Sequence, residues 1–167
     1  MTEIYILRHG IAVASRTRGY PNDDRPLTEE GIKKMKEAAD GIAQNVPEID
    51  LIVSSPLVRA HDTAKIAAGA IRYNKSIKTT KHLMPGAGTD GIINELADYK
   101  NVRLVMLVGH NPHLEFLASA LLGAGSPVIE FKKGGMCRID IDALPPEGPG
   151  RLIWHLTPKQ LRAFRKR

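Results

Sequence analysis

The 167-residue chain has little cysteine, few aromatic residues and no long apolar run. Its one cysteine, Cys137, has no second cysteine with which to form an internal disulfide, and this usage favours a reducing, cytoplasmic location. No apolar stretch approaches the roughly 20 residues that span a bilayer. The first residues read as a strand and show no signal-peptide pattern. These absences predict a cytoplasmic protein with no membrane partner.

Metal-binding patterns are also missing. His82, His113 and His155 have no cysteine or acidic residue at a spacing typical of a metal site. His61 is expected to have a core or surface role. His113 is close to His110 in sequence and is a candidate to contact a residue of the site without touching the substrate. We predict neither a metal nor another cofactor.

Positive charge is plentiful. The formal net charge is +6, spread along the chain, which suits an anionic substrate or an acidic protein partner. The most basic segment, Arg162–Arg167, contains one aromatic residue, Phe164, and no nucleic-acid recognition motif. We therefore predict residues 157–167 to be a basic C-terminal helix or tail, and expect no nucleic-acid partner.

Strand and helix patterns alternate along the chain, which predicts an α/β fold. We expect a three-layer sandwich, with a central, mostly parallel sheet between two layers of helices. The predicted strands are Glu3–Leu7, Leu51–Ser54, Lys78–His82, Arg103–Val108, Cys137–Ile141 and Arg151–His155. The predicted helices are Thr28–Gln44, Pro56–Ala70, Asp90–Ala97 and Pro112–Leu122. No repeat or long linker divides the chain, so residues 1–167 are expected to form one domain.

Local signals refine these elements. Thr28 opens the first helix, Ser55 is a candidate N-cap for the second, and Asp90 is a candidate N-cap for the third. The apolar stripe of the first helix consists of Ile32, Met35, Ala39, Ile42 and Ala43. Residues 132–135 (Lys-Lys-Gly-Gly) are typical of a hairpin turn, and residues 142–150 of a surface loop.

Three predicted strands end next to residues suited to anion binding. Arg8, His9 and Gly10 follow the first strand, Arg59 lies in the helix that follows the second, and His110 follows the fourth. Ligands of open α/β sheets bind beyond the carboxyl ends of the strands, so we expect these side chains to line one crevice. A guanidinium near the positive end of a helix is unfavourable unless an anion binds there. Gly10 permits a tight turn.

These motifs resemble the histidine phosphatase superfamily, which has a phosphoglycerate mutase-like fold. The matching segments are Arg8-His9-Gly10, Ser54-Ser55-Pro56 with Arg59-Ala60 and Thr63, and Gly109-His110. Within the superfamily, Asp24-Arg25-Pro26-Leu27-Thr28 with Gly31 is similar to the SixA-type phosphohistidine phosphatases. The resemblance extends over essentially the whole chain.

The resemblance implies a role for each matching residue. His9 would be the nucleophile and form a transient phosphohistidine, Arg8 and Arg59 would hold phosphate oxygens, and His110 would donate to an equatorial oxygen. Gly10 and Asn111 are expected to contact substrate as well. Arg25 has two interpretations: it is a third guanidinium for the phosphate, or it pairs with Asp23 or Asp24.

An acidic proton donor is missing where many ester-cleaving relatives carry one. Pro85 falls at that place in this sequence, and Asp90 is a possible substitute that is also an ordinary N-cap. An alkoxide leaves poorly without general acid help, which contributes about 10²–10⁴-fold, whereas imidazole leaves easily. This absence favours phosphohistidine as the substrate.

The short connection from residue 11 to residue 27 predicts an uncovered site. Such a site would admit a histidine on a protein partner, such as a histidine phosphotransfer domain or a phosphocarrier. Arg16, Arg18 and Tyr20 are either docking residues or solvated loop residues. Two alternatives remain: a small-molecule phosphomonoesterase that uses Asp90 or water as proton donor, and a non-catalytic module that binds phosphate.

Overall fold

The computed structural model describes residues 1–99 and 101–165. The strands are β1 Thr2–Arg8, β2 Leu51–Ser54, β3 Lys78–Thr79, β4 Leu104–Gly109, β5 Met136–Ile141 and β6 Arg151–Leu156. The helices are α1 Glu29–Asn45, α2 Val58–Ala70, α3 Thr89–Ala97, α4 His113–Leu121 and α5 Pro158–Ala163. In the part of the chain that the structure describes, no helix is long and apolar enough to cross a membrane.

The six strands form one sheet in the order β3-β2-β4-β1-β5-β6. β1, β2, β3 and β4 run parallel, and β5 runs antiparallel to both of its neighbours, β1 and β6. The centre of β1, Ile4–Leu7, is completely buried, as expected for a strand covered on both faces. The predicted α/β fold with a mostly parallel sheet is confirmed.

Helices cover both faces of the sheet. Side chains of α1, α2 and α5 pack on one face, where the buried residues include Met35, Ile42, Ala60, Ala64 and Leu161. Side chains of α3 and α4 pack on the other, where they include Ile92, Leu96, Leu114, Leu117 and Leu121. The apolar surface of each helix is therefore buried against the central sheet, which is the main source of stability in such a fold.

The start of α1 agrees with the prediction, but its buried face is rotated. Thr28 is the N-cap, and its hydroxyl oxygen accepts a hydrogen bond of 2.9 Å from the Gly31 amide. Ile32, predicted to be in the core stripe, is 38% exposed. The buried face is centred on Gly31, Met35 and Ile42, and Ile32 lies about 100° around the helix from Gly31. This places Ile32 at the edge of the face.

Two predicted N-caps were wrong. α2 begins at Val58 after Leu57, which has no capping side chain, because the Ser55 hydroxyl contacts His110 and the Leu57 amide. α3 begins at Thr89 with Gly88 as its N-cap residue, so Asp90 lies inside the first turn and is exposed.

Two predicted strand features also differ from the structure. The strand predicted at residues 78–82 pairs with β2 only at Lys78 and Thr79. It ends there because the Thr80 side chain accepts a hydrogen bond from the His82 amide and caps a 3-10 turn. Residues 132–135 form a turn that leads into β5 without a hairpin, since no strand precedes it at residues 127–131.

The basic C-terminal segment begins as predicted with a helix, α5. Thr157 and Gln160 form a capping box at its start. The remaining residues of this predicted segment, 166 and 167, lie outside the described residues.

Candidate active site

The carboxyl ends of β1, β2 and β4 meet at one edge of the sheet, because these strands are neighbours there. They border a cleft of about 390 Å³. Its lining residues are Arg8, His9, Ala12, Ala14, Ser15, Asp23, Arg25, Arg59, Pro85, His110, Asn111 and Lys133. Six of the seven predicted site residues are thus brought together. The seventh, Gly10, lines an adjoining cavity behind His9.

His9 is buried and held in one orientation. Its Nδ1 lies 2.7 Å from the carbonyl oxygen of Gly10. A carbonyl oxygen can only accept, so Nδ1 carries the proton and Nε2 keeps a free electron pair. Burial, with the nearby positive charges of Arg59 and Arg8, lowers the pKa of His9 to about 4. His9 is therefore a neutral imidazole with an available nucleophilic nitrogen at neutral pH.

His110 lies opposite, with its ring centroid 5.1 Å from that of His9. Its Nε2 is 2.8 Å from the Ser55 hydroxyl. A hydroxyl both donates and accepts, so Ser55 can bind either tautomer of His110. Burial, together with His9 and Arg59, lowers the pKa of His110 to about 3. A neutral His110 can donate one N–H to a bound anion.

Arg59 extends from the first turn of α2 into the cleft and is only 3% exposed. Its Nη1 donates to the backbone carbonyl of Asp23 and its Nη2 to a carboxylate oxygen of Asp23, both over 2.8 Å. Arg25 reaches the same carboxylate: its Nε donates to the other oxygen over 2.7 Å, and its Nη1 donates to the Val13 carbonyl. Of the two interpretations of Arg25, the structure shows the pairing with Asp23, while its contact with a phosphate stays a prediction.

Asp23 is the acidic residue of the cleft lining. Burial alone would raise its pKa, but the hydrogen bonds from Arg25 and Arg59 outweigh this effect and lower it. An ionised carboxylate held by two guanidinium groups cannot act as a proton donor. Asp23 and its neighbour Asn22 both have positive φ angles, 60° and 58°, which non-glycine residues rarely adopt.

Arg8 and Asn111 are fixed by a shared acceptor. The Phe131 carbonyl accepts hydrogen bonds from Arg8 Nη1 over 2.6 Å and from Asn111 Nδ2 over 3.1 Å. Asn111 Nδ2 also donates to Glu115 over 2.6 Å. The loop before β5 thus positions the last residue of β1, Arg8, and a residue that follows β4, Asn111.

Four buried polar atoms in this cleft have no hydrogen-bond partner among residues 1–99 and 101–165. They are Arg8 Nε, Arg59 Nε, His110 Nδ1 and Asn111 Oδ1. Buried polar atoms normally have partners, and each unmet one costs about 1–3 kcal/mol. Their concentration here is typical of a site that binds a polar ligand.

The backbone after β1 is held from two sides. The Gly10 amide donates to the Thr63 hydroxyl over 3.0 Å, and this hydroxyl donates to the Arg59 carbonyl over 2.7 Å. The Gly134 amide contacts the carbonyl oxygens of both Arg8 and His9. Thr63 and Gly134 therefore position the loop that carries His9.

Sequence reasoning missed three contributions to this site. Asp23 links two arginines, Ser55 contacts His110, and Lys133 lines the cleft. The role of Asp23 could have been suspected from the sequence, because two consecutive acidic residues, 23 and 24, stand beside Arg25. The other two depend on contacts between segments far apart in the sequence.

Pro85, which was predicted to stand in the place of an acidic proton donor, lies at the cleft, whereas Asp90 is absent from the cleft lining and lies on α3. Among the described residues, no group of three or more His, Cys, Asp or Glu side chains could hold a metal ion. Cys137 is buried in β5, and burial raises the pKa of its thiol to about 12.

A protein from Agrobacterium tumefaciens, named as a candidate phosphohistidine phosphatase SixA, has a similar solved structure. It is 30% identical, the match covers 94% of this chain and 98% of that one, and the TM-score is 0.77. The family model for the histidine phosphatase superfamily, branch 1, also matches residues 4–84. The chain belongs to the histidine phosphatase superfamily.

Further proteins are similar to this chain over nearly their full length. Phosphohistidine phosphatase SixA of Escherichia coli is 23% identical over 96% of both chains. The solved structure of a protein histidine phosphatase SixA complexed with tungstate has a TM-score of 0.82, with 23% identity over 96% of this chain and 99% of that chain. A mycobacterial glucosyl-3-phosphoglycerate phosphatase has the same fold, with a TM-score of 0.74 and 20% identity over 94% of this chain and 100% of that chain. The fold is therefore shared by protein and small-molecule phosphatases.

Proposed function

We propose that this histidine phosphatase hydrolyses phosphohistidine on another protein through a covalent intermediate on His9. The observation that carries the proposal is the chemistry of the cleft. It pairs a neutral, oriented imidazole with three arginines, and its lining carboxylate, Asp23, is held ionised. The site thus provides a nucleophile and an anion-binding surface, but no carboxylic acid placed to donate a proton to the leaving group.

In the first step, His9 Nε2 attacks phosphorus in line with the bond to the substrate nitrogen. A bond forms between phosphorus and Nε2, and the bond to the substrate nitrogen breaks. That nitrogen keeps the electron pair, and the ring leaves as neutral imidazole when its other nitrogen carries a proton. In the second step, water attacks the phosphorus and the bond between phosphorus and His9 Nε2 breaks, with the electron pair returning to Nε2. The protons of the water leave with the inorganic phosphate or pass to solvent, so His9 returns to its starting state.

Positive and neutral donors stabilise the transferred group. Arg8, Arg25 and Arg59 would bind the phosphoryl oxygens, and His110 would donate an N–H as charge builds on them. Guanidinium groups suit this role because they bind two oxygens at once. Binding requires Arg59 and Arg25 to exchange the Asp23 carboxylate for phosphate.

The missing acid supports a phosphorus–nitrogen bond over an ester. An ester would release an alkoxide, which needs a proton as it leaves, and general acid catalysis contributes about 10²–10⁴-fold. Asp90 lies outside the cleft lining, and the lowered pKa of Asp23 leaves that carboxylate without a proton when the substrate binds, so neither is suited to supply it. A phosphorylated imidazole has no such requirement.

A protein substrate is supported by the open edge of the cleft. The segment from Ala14 to Asp24, which borders the site, is exposed and short. Arg16, Arg18 and Tyr20 are exposed on it. A histidine phosphotransfer domain or a phosphocarrier would present its phosphohistidine on a comparable surface.

Phosphate release from two substrates tests the proposal. One is a protein that carries phosphohistidine and the other is an alkyl phosphate ester, each assayed with wild type and His9→Ala. We expect fast release from the protein, slow release from the ester and essentially no turnover by the variant. A preference for the ester would indicate a small-molecule phosphomonoesterase. Binding without release would indicate a non-catalytic module.

A further inference from the structure

A second cavity of about 370 Å³ adjoins the active-site cleft. It lies between the first turns of α1, residues 132–134 and the start of α5. Its lining residues are Gly10, Ile11, Gly31, Lys34, Met35, Ala38, Lys132, Lys133, Gly134, Thr157, Pro158, Lys159 and Arg162. Gly10 directly follows His9, and Lys133 lines both the cavity and the cleft. A molecule that occupies the cleft can therefore extend into this cavity.

Within residues 1–99 and 101–165, the cavity is lined by five cations and no carboxylate. Lys34, Lys132 and Arg162 pair with the acidic residues Glu30, Glu130 and Glu37 outside it. Among the described residues, neither Lys133 nor Lys159 has an ion pair. The cavity wall thus has an excess of positive charge, and the charges of Lys133 and Lys159 are not compensated by an ion pair among the described residues. A concave surface of this kind favours an anionic group.

The floor of the cavity is apolar. Its apolar lining residues are Ile11, Met35, Ala38 and Pro158, of which Met35 and Ala38 are buried, whereas Lys132, Lys133 and Lys159 are exposed. None of the described residues that line the cavity is aromatic, so these residues offer no stacking surface for nucleic-acid bases. An apolar floor with a cationic rim suits a peptide segment whose carboxylates contact the rim and whose aliphatic stems contact the floor.

We infer that this cavity docks an acidic segment of the phosphohistidine-bearing protein. The segment would lie within a few residues of the phosphohistidine, because Lys133 borders both sites and each extended residue spans about 3.3 Å. This inference rests on the proposed function. It assigns the cavity to substrate selection, since its other cations do not line the cleft.

Synthetic peptides with a central phosphohistidine provide the test. The peptides form two matched pairs, and within each pair one peptide has a flank of four glutamates and the other has four glutamines. The flank precedes the phosphohistidine in one pair and follows it in the other. For wild type at low ionic strength, we expect kcat/KM to be roughly tenfold higher for one of the glutamate peptides than for its glutamine partner. The difference should lie mainly in KM and should shrink at high salt.

Two charge-reversed variants complete the design. Lys159→Glu changes a cation of the cavity, and Lys36→Glu makes the same change on the exposed side of α1, outside the cavity. We expect Lys159→Glu to remove most of the preference and to leave turnover of the glutamine peptides unchanged. Lys36→Glu should keep the preference.

Three results would contradict the inference. If wild type hydrolyses all peptides equally, or if Lys159→Glu keeps the preference, the cavity does not dock an acidic segment, although the proposed function stands. If folded wild type hydrolyses none of the peptides, nor a phosphohistidine-bearing protein, the proposed function fails and the docking role fails with it.

Discussion

Asp23 and Arg59 are joined by two hydrogen bonds of 2.8 Å, one to the backbone carbonyl and one to the carboxylate of Asp23. The second carboxylate oxygen binds Arg25. The two guanidinium groups thus bind a protein anion in the place where the proposed function puts the substrate phosphate. Phosphate binding must compete with this carboxylate.

We expect Asp23→Asn to strengthen inhibition by inorganic phosphate several-fold. The neutral amide accepts more weakly from arginine than a carboxylate does, so the competing anion is removed while the side-chain shape is kept. The measurement is the inhibition constant of phosphate for wild type and variant.

Asp24→Asn is the matched control. Asp24 accepts from the Val58 amide and contacts neither arginine, so its variant should keep the wild-type inhibition constant. Weaker phosphate inhibition in Asp23→Asn would contradict the competition between the Asp23 carboxylate and phosphate for the two arginines. It would show that Asp23 mainly holds Arg59 and Arg25 in position.

Arg59→Lys is expected to lower kcat/KM by about 10²–10³-fold, the usual effect of removing one donor to a transition-state oxygen. An ammonium group has no planar pair of donors and cannot reproduce a two-point grip on phosphate. Arg25→Lys should cost less, because the Arg25 side chain is 15% exposed and that of Arg59 is 3% exposed. Steady-state kinetics on a phosphohistidine peptide measures both, with circular dichroism to verify folding. An equal or larger loss for Arg25→Lys would contradict the central position of Arg59.

The two cleft histidines should remain neutral well below the usual histidine range. Burial lowers the pKa of His9 to about 4 and that of His110 to about 3. A lowered pKa means that protonation occurs only at more acidic pH, so their Cε1–H NMR signals should stay constant between pH 7.5 and 5.5. The buffer must lack phosphate, because a bound anion favours imidazolium.

His9→Asn and His110→Asn assign the two signals by the loss of a resonance. A titration midpoint near 6.5 for either residue would contradict the arrangement. It would mean that the empty cleft does not disfavour imidazolium relative to water, despite burial and the nearby positive charge of Arg59.

The fold and the main site residues could be predicted because they depend on local pattern. Apolar runs identify β1, β2 and β4, and the residues after each run must meet at one sheet edge when the strands are parallel neighbours. Arg8, His9, Arg59 and His110 were found in this way. Their roles in the reaction remain predictions.

The features that were missed depend on contacts between distant segments. Ser55 looked like an N-cap because the pattern of serine before proline is local, but His110 lies 55 residues away. The predicted strand at 78–82 is only two residues long because the Thr80 side chain caps the 3-10 turn that follows. Thr80 then contacts Glu95 on α3. Such competition between local and distant partners cannot be deduced from spacing.

The contact between α1 and α5 provides a prediction about stability. A Cβ atom added to Gly41 in α1 would lie 1.8 Å from the Leu161 carbonyl oxygen in α5, far inside van der Waals contact. Gly41→Ala should therefore lower the free energy of unfolding by about 1–3 kcal/mol, the usual effect of overpacking.

Gly69→Ala in α2 is the matched control, because a Cβ there meets nothing within 4 Å. Alanine loses less backbone entropy than glycine on helix formation, so this variant should be more stable by up to about 1 kcal/mol. Urea unfolding of both variants measures the two effects. If Gly41→Ala were as stable as Gly69→Ala, α5 would have to shift away from α1 at no cost, and the close packing of these helices would not contribute to the fold.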